Sequence, residues 1–127
     1  MSRNEADAWR KVAKEALDAA NQLTAESPRA FVNRVYYGLF ALAHAMLIEV
    51  RLNPRLGFGT WRHVDLPALV QTHLKSTHCN QAVQLRLLLH RMRKEREEAD
   101  YKPHATFQNA ACLELMTKAN QLFEAVR

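Results

Sequence analysis

The chain contains few of the residues that interrupt helices or cross-link small proteins. Its 127 residues include three glycines, four prolines and two cysteines. Two cysteines are too few for the disulfide framework of a small secreted protein, and the first residues are charged, unlike those of a signal peptide. We therefore expect a cytoplasmic protein in which Cys79 and Cys112 remain reduced.

Long hydrophobic runs are also missing. The uncharged run from Tyr36 to Ile48 contains His44 and is shorter than the ~20 residues that cross a bilayer. The formal net charge of +5 and the pI of about 9.6 are compatible with an acidic partner such as nucleic acid, although a solvated surface accounts for a surplus of this size more simply. We expect a soluble single domain, residues 1–127, with no membrane partner.

What the sequence does contain is apolar residues at helical spacing, with no alternation of the strand type. We predict an all-α fold, an antiparallel up-and-down four-helix bundle with one short additional helix. Ser2 and Glu5 form a capping-box pattern at the first helix, and Ser27 followed by Pro28 is typical of a helix start. The third helix is predicted from about Asp65 to Lys75, the fourth from near Asn80 to the Lys102-Pro103 break, and the fifth after a cap at Thr106.

The second predicted helix, about Pro28 to Leu52, is apolar nearly all round, which is typical of a central, buried helix. It also carries a row of small residues, Gly38, Ala41 and Ala45. Small side chains allow another backbone to approach closely. The row is suited either to a contact within the chain or to an interface between subunits.

The fourth helix carries an arginine on its apolar face. Arg96 continues the row of seam positions that includes Leu89 and Met92. An unpaired guanidinium is costly to bury, so Arg96 needs a carboxylate, a backbone acceptor or a ligand phosphate. Asp100 is one turn further on, so the simpler interpretation is an arginine whose stem packs while its head pairs with a neighbour.

The second helix has a similar feature. Arg34 lies among apolar residues about one turn before Tyr37. Tyrosines on buried helices usually fill core volume and use the hydroxyl for one hydrogen bond. We predict a polar pocket in which Arg96 lies with Asp100 and Tyr101, approached from the central helix by Arg34 and Tyr37.

Three stretches, Ser27 to Phe40, Thr60 to His63 and Arg96 to Tyr101, resemble in order and spacing the signatures of small prokaryotic HEPN-domain proteins (higher eukaryotes and prokaryotes nucleotide-binding). The resemblance spans residues 5–126. It implies the helical bundle described above, often as a homodimer. Many family members are RNA-cleaving toxins, partners of minimal nucleotidyltransferases, or components of defence systems.

In the ribonuclease branch of that family, an arginine is followed five positions later by a histidine, which acts as a metal-independent acid or base. Here the arginine corresponds to Arg96, and Tyr101 occupies the histidine position. A phenol, with a pKa near 10, is a poor general base at neutral pH. His104, just past the helix, and His63, which matches the family's histidine before the third helix, are the possible substitutes.

Two hypotheses follow from this resemblance. In the first, the protein is a nucleotide- or RNA-associated binding module of a toxin–antitoxin, nucleotidyltransferase-paired or defence system, and lacks the usual ribonuclease histidine. In the second, it is a metal-independent RNA-cleaving toxin that uses Arg96 with Tyr101 or a displaced histidine such as His104. The binding residues of the first hypothesis are Arg34, Tyr37, His63, Arg96 and Asp100.

The expected partners are a second copy of the chain, a nucleotidyltransferase-type antitoxin, and RNA or a nucleotide. We expect no cofactor. His73, His78 and Cys79 lie close together in the sequence, but without a second paired set of ligands they match no zinc pattern, so no metal site is predicted.

Overall fold

The computed structural model describes residues 3–23, 27–54, 59–104 and 106–127, and within these ranges it contains helices and no strands. The all-α prediction is confirmed. The capping box predicted at Ser2 lies outside the described residues. The five helices are α1 (Arg3–Leu23), α2 (Pro28–Glu49), α3 (Leu66–Leu74), α4 (Cys79–Tyr101) and α5 (Asn109–Ala125).

Helix α2 is the centre of the molecule and contacts each of the other four helices. Helices α1 and α4 pack on α2, α5 touches α1, α2 and α4, and the short α3 packs on α4 and α2. By length and composition alone α2 is apolar enough to cross a membrane, but 83% of its most apolar window is buried within the protein. A helix that is apolar nearly all round is here covered by its neighbours along most of its surface.

The small residues of α2 serve a contact within the chain. A Cβ atom built on Gly38 would lie 2.8 Å from Cδ2 of Leu17 and 3.5 Å from the carbonyl oxygen of Ala13, both on α1. Ala41 and Ala45 are also buried. Of the two uses that the sequence left open for this row, the structure therefore shows the intramolecular one.

Helix α2 ends earlier than predicted, at Glu49 rather than near Leu52. The N–H of Leu52 donates to the carbonyl of Leu47 and the N–H of Arg51 to that of Ile48, at 3.0 and 2.9 Å. Arg51 has a φ of 69°. These bonds form a Schellman motif, whose left-handed position is usually glycine. Because arginine fills that position, no glycine marks the end of the helix in the sequence.

Of the predicted helix starts, that of α2 is confirmed and that of α5 is wrong. Ser27 is the N-cap of α2 and Pro28 its first residue, although the Ser27 side chain makes no capping hydrogen bond. The prediction that Thr106 caps α5 was wrong, because α5 begins at Asn109 with Gln108 as its N-cap. Thr106 lies in the non-helical connection before the helix.

Candidate functional site

Arg96 lies against two tyrosine rings of the central helix. Its neighbours on the same face of α4, Leu89 and Met92, are buried, so the periodicity that packs α4 on α2 also brings Arg96 inward. The side chain of Arg96 is 17% exposed. Its guanidinium carbon is 5.3 Å from the ring centroid of Tyr36 and 5.8 Å from that of Tyr37, within the range of cation–π attraction.

The guanidinium of Arg96 is only partly satisfied by hydrogen bonds. Its Nη1 donates to Oδ2 of Asp100 at 3.2 Å. Its Nε is buried and has no hydrogen-bond partner among the described residues. The carboxylate of Asp100 also accepts from Nδ2 of Asn33 at 3.3 Å, which links this end of α4 to α2. The pairing of Arg96 with a neighbour, expected from the sequence, therefore accounts for Nη1 but does not account for Nε.

Tyr36 and His63 form the floor of the site. The Tyr36 hydroxyl is hydrogen-bonded to Nδ1 of His63, and the two rings stack with centroids 5.4 Å apart. Burial raises the pKa of Tyr36 to about 12, even though the positive charges of Arg96 and Arg93 act in the opposite direction. The phenol is therefore neutral at physiological pH.

His63 is also neutral at physiological pH. Partial burial lowers its pKa, and the nearby positive charges of Arg96 and Arg93 lower it further. Its ring packs on Phe40, with centroids 4.6 Å apart. His63 therefore adds an aromatic face to the site and no positive charge.

Tyr37 supplies the accessible aromatic surface. It is 38% exposed, whereas Tyr36 beside it is buried. The two rings meet edge to face at 5.6 Å, and His63 lies 6.2 Å from Tyr37. We use the name Arg96 cluster for Tyr36, Tyr37, His63, Arg96 and Asp100. It combines one guanidinium, one carboxylate, neutral hydrogen-bonding groups and an open ring.

Four of the residues predicted to bind a ligand, Tyr37, His63, Arg96 and Asp100, therefore lie together. Arg34 is exposed on α2 and makes no hydrogen bond or ion pair with the part of the chain that the structure describes. Tyr101 is 76% exposed and shares with Arg96 only the lining of a shallow surface depression. His104 is exposed beyond the end of α4.

Two residues that were not among the predicted site residues position the site. The first is Arg29, whose guanidinium donates to the carbonyl oxygens of Ala99, Lys102 and Pro103 at 2.6, 3.1 and 2.9 Å. These carbonyls are at the end of α4, where intrahelical partners run out and a positive charge is favourable. Arg29 thus fixes the end of α4 that carries Asp100. Its position in the first turn of α2 gave no signal of this role.

The second is His44, which is fully buried. The Trp61 N–H donates to its Nε2 at 3.0 Å, so Nδ1 holds the proton and donates to the Phe40 carbonyl at 2.9 Å. Burial lowers the pKa of His44 to about 4. His44 fastens residue 61 to α2 and so helps to place His63 two residues later. A lone histidine within the apolar run was the only signal in the sequence.

Metal ligation finds no support in the described residues, among which no three His, Cys, Asp or Glu side chains are grouped to hold an ion. The site is thus defined by its arginine and its aromatic rings. Comparison of the chain with protein-family models, with curated proteins and with solved structures gave no match.

Proposed function

We propose that the protein is a HEPN-like nucleotide- or RNA-associated binding module whose ligand occupies the Arg96 cluster. One observation carries the proposal: the partly exposed guanidinium of Arg96, whose hydrogen bond to Asp100 leaves donors unused among the described residues, lies beside the accessible ring of Tyr37. A phosphate oxygen is a strong acceptor for a guanidinium, and a nucleobase stacks on an exposed aromatic ring. A nucleotide or single-stranded RNA offers both groups on one ligand.

The proposal includes the arrangement implied by the resemblance. We take α1, α2, α4 and α5 as an antiparallel up-and-down bundle, with α3 as the additional helix. In support, α1 contacts α2 and α5, and α4 contacts the same two helices, so the four close a ring. On the resemblance alone, we also propose that the protein is located in the cytoplasm, forms a homodimer and has a nucleotidyltransferase-type antitoxin as its partner.

RNA cleavage is the second candidate, and the position of His63 is the observation in its favour. Its neutral imidazole lies in the same cluster as Arg96, whereas Tyr101 and His104 are exposed. For Nε2 of His63 to accept a proton, Nδ1 must hold the ring proton and donate to the Tyr36 oxygen. This tautomer would give the cluster a base beside a phosphate-binding guanidinium, without a metal.

Binding is tested by fluorescence anisotropy with a labelled mixed-sequence single-stranded RNA in EDTA. We expect Tyr37→Leu to weaken binding about tenfold, because base stacking is worth about 1–3 kcal/mol. The matched control is Tyr101→Leu, which removes a more exposed tyrosine from outside the cluster and should have a smaller effect. Equal losses in the two variants would contradict the assignment of the stacking surface.

The same samples, separated on a denaturing gel, distinguish the two functions. Intact RNA throughout supports the binding module. Cleavage that disappears in His63→Asn and persists in His104→Asn would establish the second candidate instead.

A further inference from the structure

A second concave surface lies between α4 and α5, and it contains no residue of the Arg96 cluster. It consists of two cavities of about 330 and 200 Å³. Arg91 lines both cavities, so they adjoin along the seam between the two helices. We call this surface the α4–α5 groove. The larger cavity is lined by Gln84, Leu87, Leu88, Arg91, Lys118 and Gln121.

The wall of the groove that belongs to α4 exposes a large aliphatic side chain, that of Leu87, which is 53% exposed. Val83, one turn before it on α4, is nearly half exposed but lines neither cavity. Leu88 is almost covered and contributes to the floor. Aliphatic side chains grouped on an open concave surface are typical of interaction sites. Leu113 of α5 is equally exposed, but it does not line the groove.

The charge of the larger cavity has one sign. Arg91 and Lys118 contribute positive charge from opposite walls, and the other polar groups there, Gln84 and Gln121, are neutral; no acidic side chain of the described residues lines this cavity. Lys118 pairs with Glu114 at 2.9 Å, but both side chains are at least half exposed. Such a surface pair is weak and readily exchanged for another carboxylate. The smaller cavity includes one carboxylate, that of Glu95.

We propose that the α4–α5 groove binds an acidic amphipathic helix of a partner protein. Leu87 and Leu88 contact the apolar face of that helix, while Arg91 and Lys118 pair with its carboxylates. The groove residues of α5 run from Ala111 to Gln121, which at 1.5 Å per residue is about 15 Å. A helix of about three turns, with anchor residues at positions i, i+3 or i+4, and i+7, matches this length.

Other occupants fit the groove less well. RNA would match the two cations but would leave Leu87 against polar phosphates and riboses. A second copy of the chain, related by a two-fold axis, would bring the same Arg91 and Lys118 towards their counterparts, and each chain already carries a formal charge of +5. Complementary charge therefore favours an acidic partner.

A helix-biased peptide library tests the proposal. Selection on the wild-type protein, with counter-selection on a Leu87→Gln, Lys118→Glu variant, should enrich peptides that combine apolar residues at helical spacing with Asp and Glu. Enrichment without acidic residues, or no enrichment above the counter-selection, would overturn it. Circular dichroism of the variant should show unchanged helix content, because both substitutions are at exposed positions.

Single substitutions then locate the contact. We expect Leu87→Gln to weaken the selected peptide about tenfold, and Leu113→Gln, the matched control on the other side of α5, to leave the affinity unchanged. The Lys118→Glu variant should bind a peptide in which Lys replaces the acidic residues more tightly than it binds the selected acidic peptide. RNA binding should not change in any of these variants. If Leu87→Gln instead splits a wild-type dimer in sedimentation experiments, the groove joins two copies of the chain and the proposal fails.

Discussion

The two sides of helix α2 are built on different principles. Towards α1 the backbones approach closely at Gly38, and around that residue the contact consists of small or aliphatic groups such as Ala13 and Leu17. Towards α4 the space is filled by the Tyr36 ring and by a guanidinium, that of Arg96. The close approach at Gly38 leaves no room for a polar group or a ligand, whereas the wider contact with α4 holds a guanidinium. The candidate site therefore lies on the α4 side.

The difference also has an energetic meaning. Each side buries one guanidinium nitrogen without a partner among the described residues, Nη1 of Arg10 towards α1 and Nε of Arg96 towards α4, but Arg10 donates twice to Glu49 whereas Arg96 donates once, to Asp100. A buried unsatisfied donor costs about 1–3 kcal/mol. A site that binds a ligand often retains such a cost in its empty state. Substitutions at Gly38 and Arg96 test the two sides against each other, and His44 and Arg51 test the burial and the end of α2 itself.

The largest effect is expected on the α1 side. In Gly38→Leu a side chain enters a space where even a Cβ would lie 2.8 Å from Leu17. Overpacking of this kind costs about 1–3 kcal/mol or more, and we expect the upper end, measured by urea unfolding. The control is Gly38→Leu with Leu17→Ala, which should recover part of the loss. An unchanged unfolding midpoint in the single variant would contradict the close approach.

The second effect is a loss of stability in acid through His44. Its pKa falls from 6.5 in the unfolded chain to about 4 in the folded one, so as the pH decreases the unfolded state binds the proton first. The stabilisation is complete above about pH 6.5 and is lost between pH 6.5 and 4, by roughly 3 kcal/mol. Protonation of Nε2 would also break the bond from Trp61.

Urea unfolding at a series of pH values measures this dependence. His63, whose pKa is also lowered, contributes in the same direction. In His44→Phe the loss between pH 6.5 and 4 should be smaller than in the wild type, whatever the absolute stability of the variant. A wild-type free energy of unfolding that does not change over this range would show that His44 is not buried in its neutral form.

The third effect separates function from stability on the α4 side. Arg96→Met keeps the packing of the stem and removes the buried donor, so we expect the free energy of unfolding to stay within about 1 kcal/mol of the wild type. RNA affinity should nevertheless fall about tenfold, because a charge-assisted bond to phosphate is lost. Arg62→Met, at an exposed arginine paired with Asp65, is the matched control.

The opposite pattern in Arg96→Met, a marked loss of stability with unchanged RNA binding, would assign Arg96 to the structure alone. Urea unfolding gives the free energy of unfolding, and fluorescence anisotropy on the same preparations gives the RNA affinity. The result thus decides whether the wider side of α2 holds a site or only a paired arginine.

The smallest effect lies at the end of α2, outside both contacts. Arg51 adopts a left-handed conformation that costs a non-glycine residue about 1–2 kcal/mol. We expect Arg51→Gly to raise the free energy of unfolding by up to about 1 kcal/mol, since glycine also loses more entropy on folding. Arg51→Ala should give no such gain. A stabilisation by alanine equal to that by glycine would exclude the backbone as the cause.

Much of the fold could be read from the sequence, because helical periodicity is a local property. The order of the five helices, the start of α2 at Pro28 and its central position all follow from where apolar residues recur and where proline interrupts them. The errors are at helix ends. The left-handed position at the end of α2 is Arg51 rather than glycine, and Thr106 resembled a cap although the chain becomes helical only after Gln108.

The sequence by itself determined that Arg96 lies on the apolar face of its helix, since the spacing from Leu89 and Met92 fixes that position. Only the tertiary structure decided what Arg96 meets there. The bonds from Tyr36 to His63 and from Asn33 to Asp100 join residues 27 and 67 positions apart. Such contacts depend on how helices and loops pack, and no local pattern encodes that packing. For the same reason Arg34 and Tyr101, equally plausible in the sequence, lie exposed in the structure.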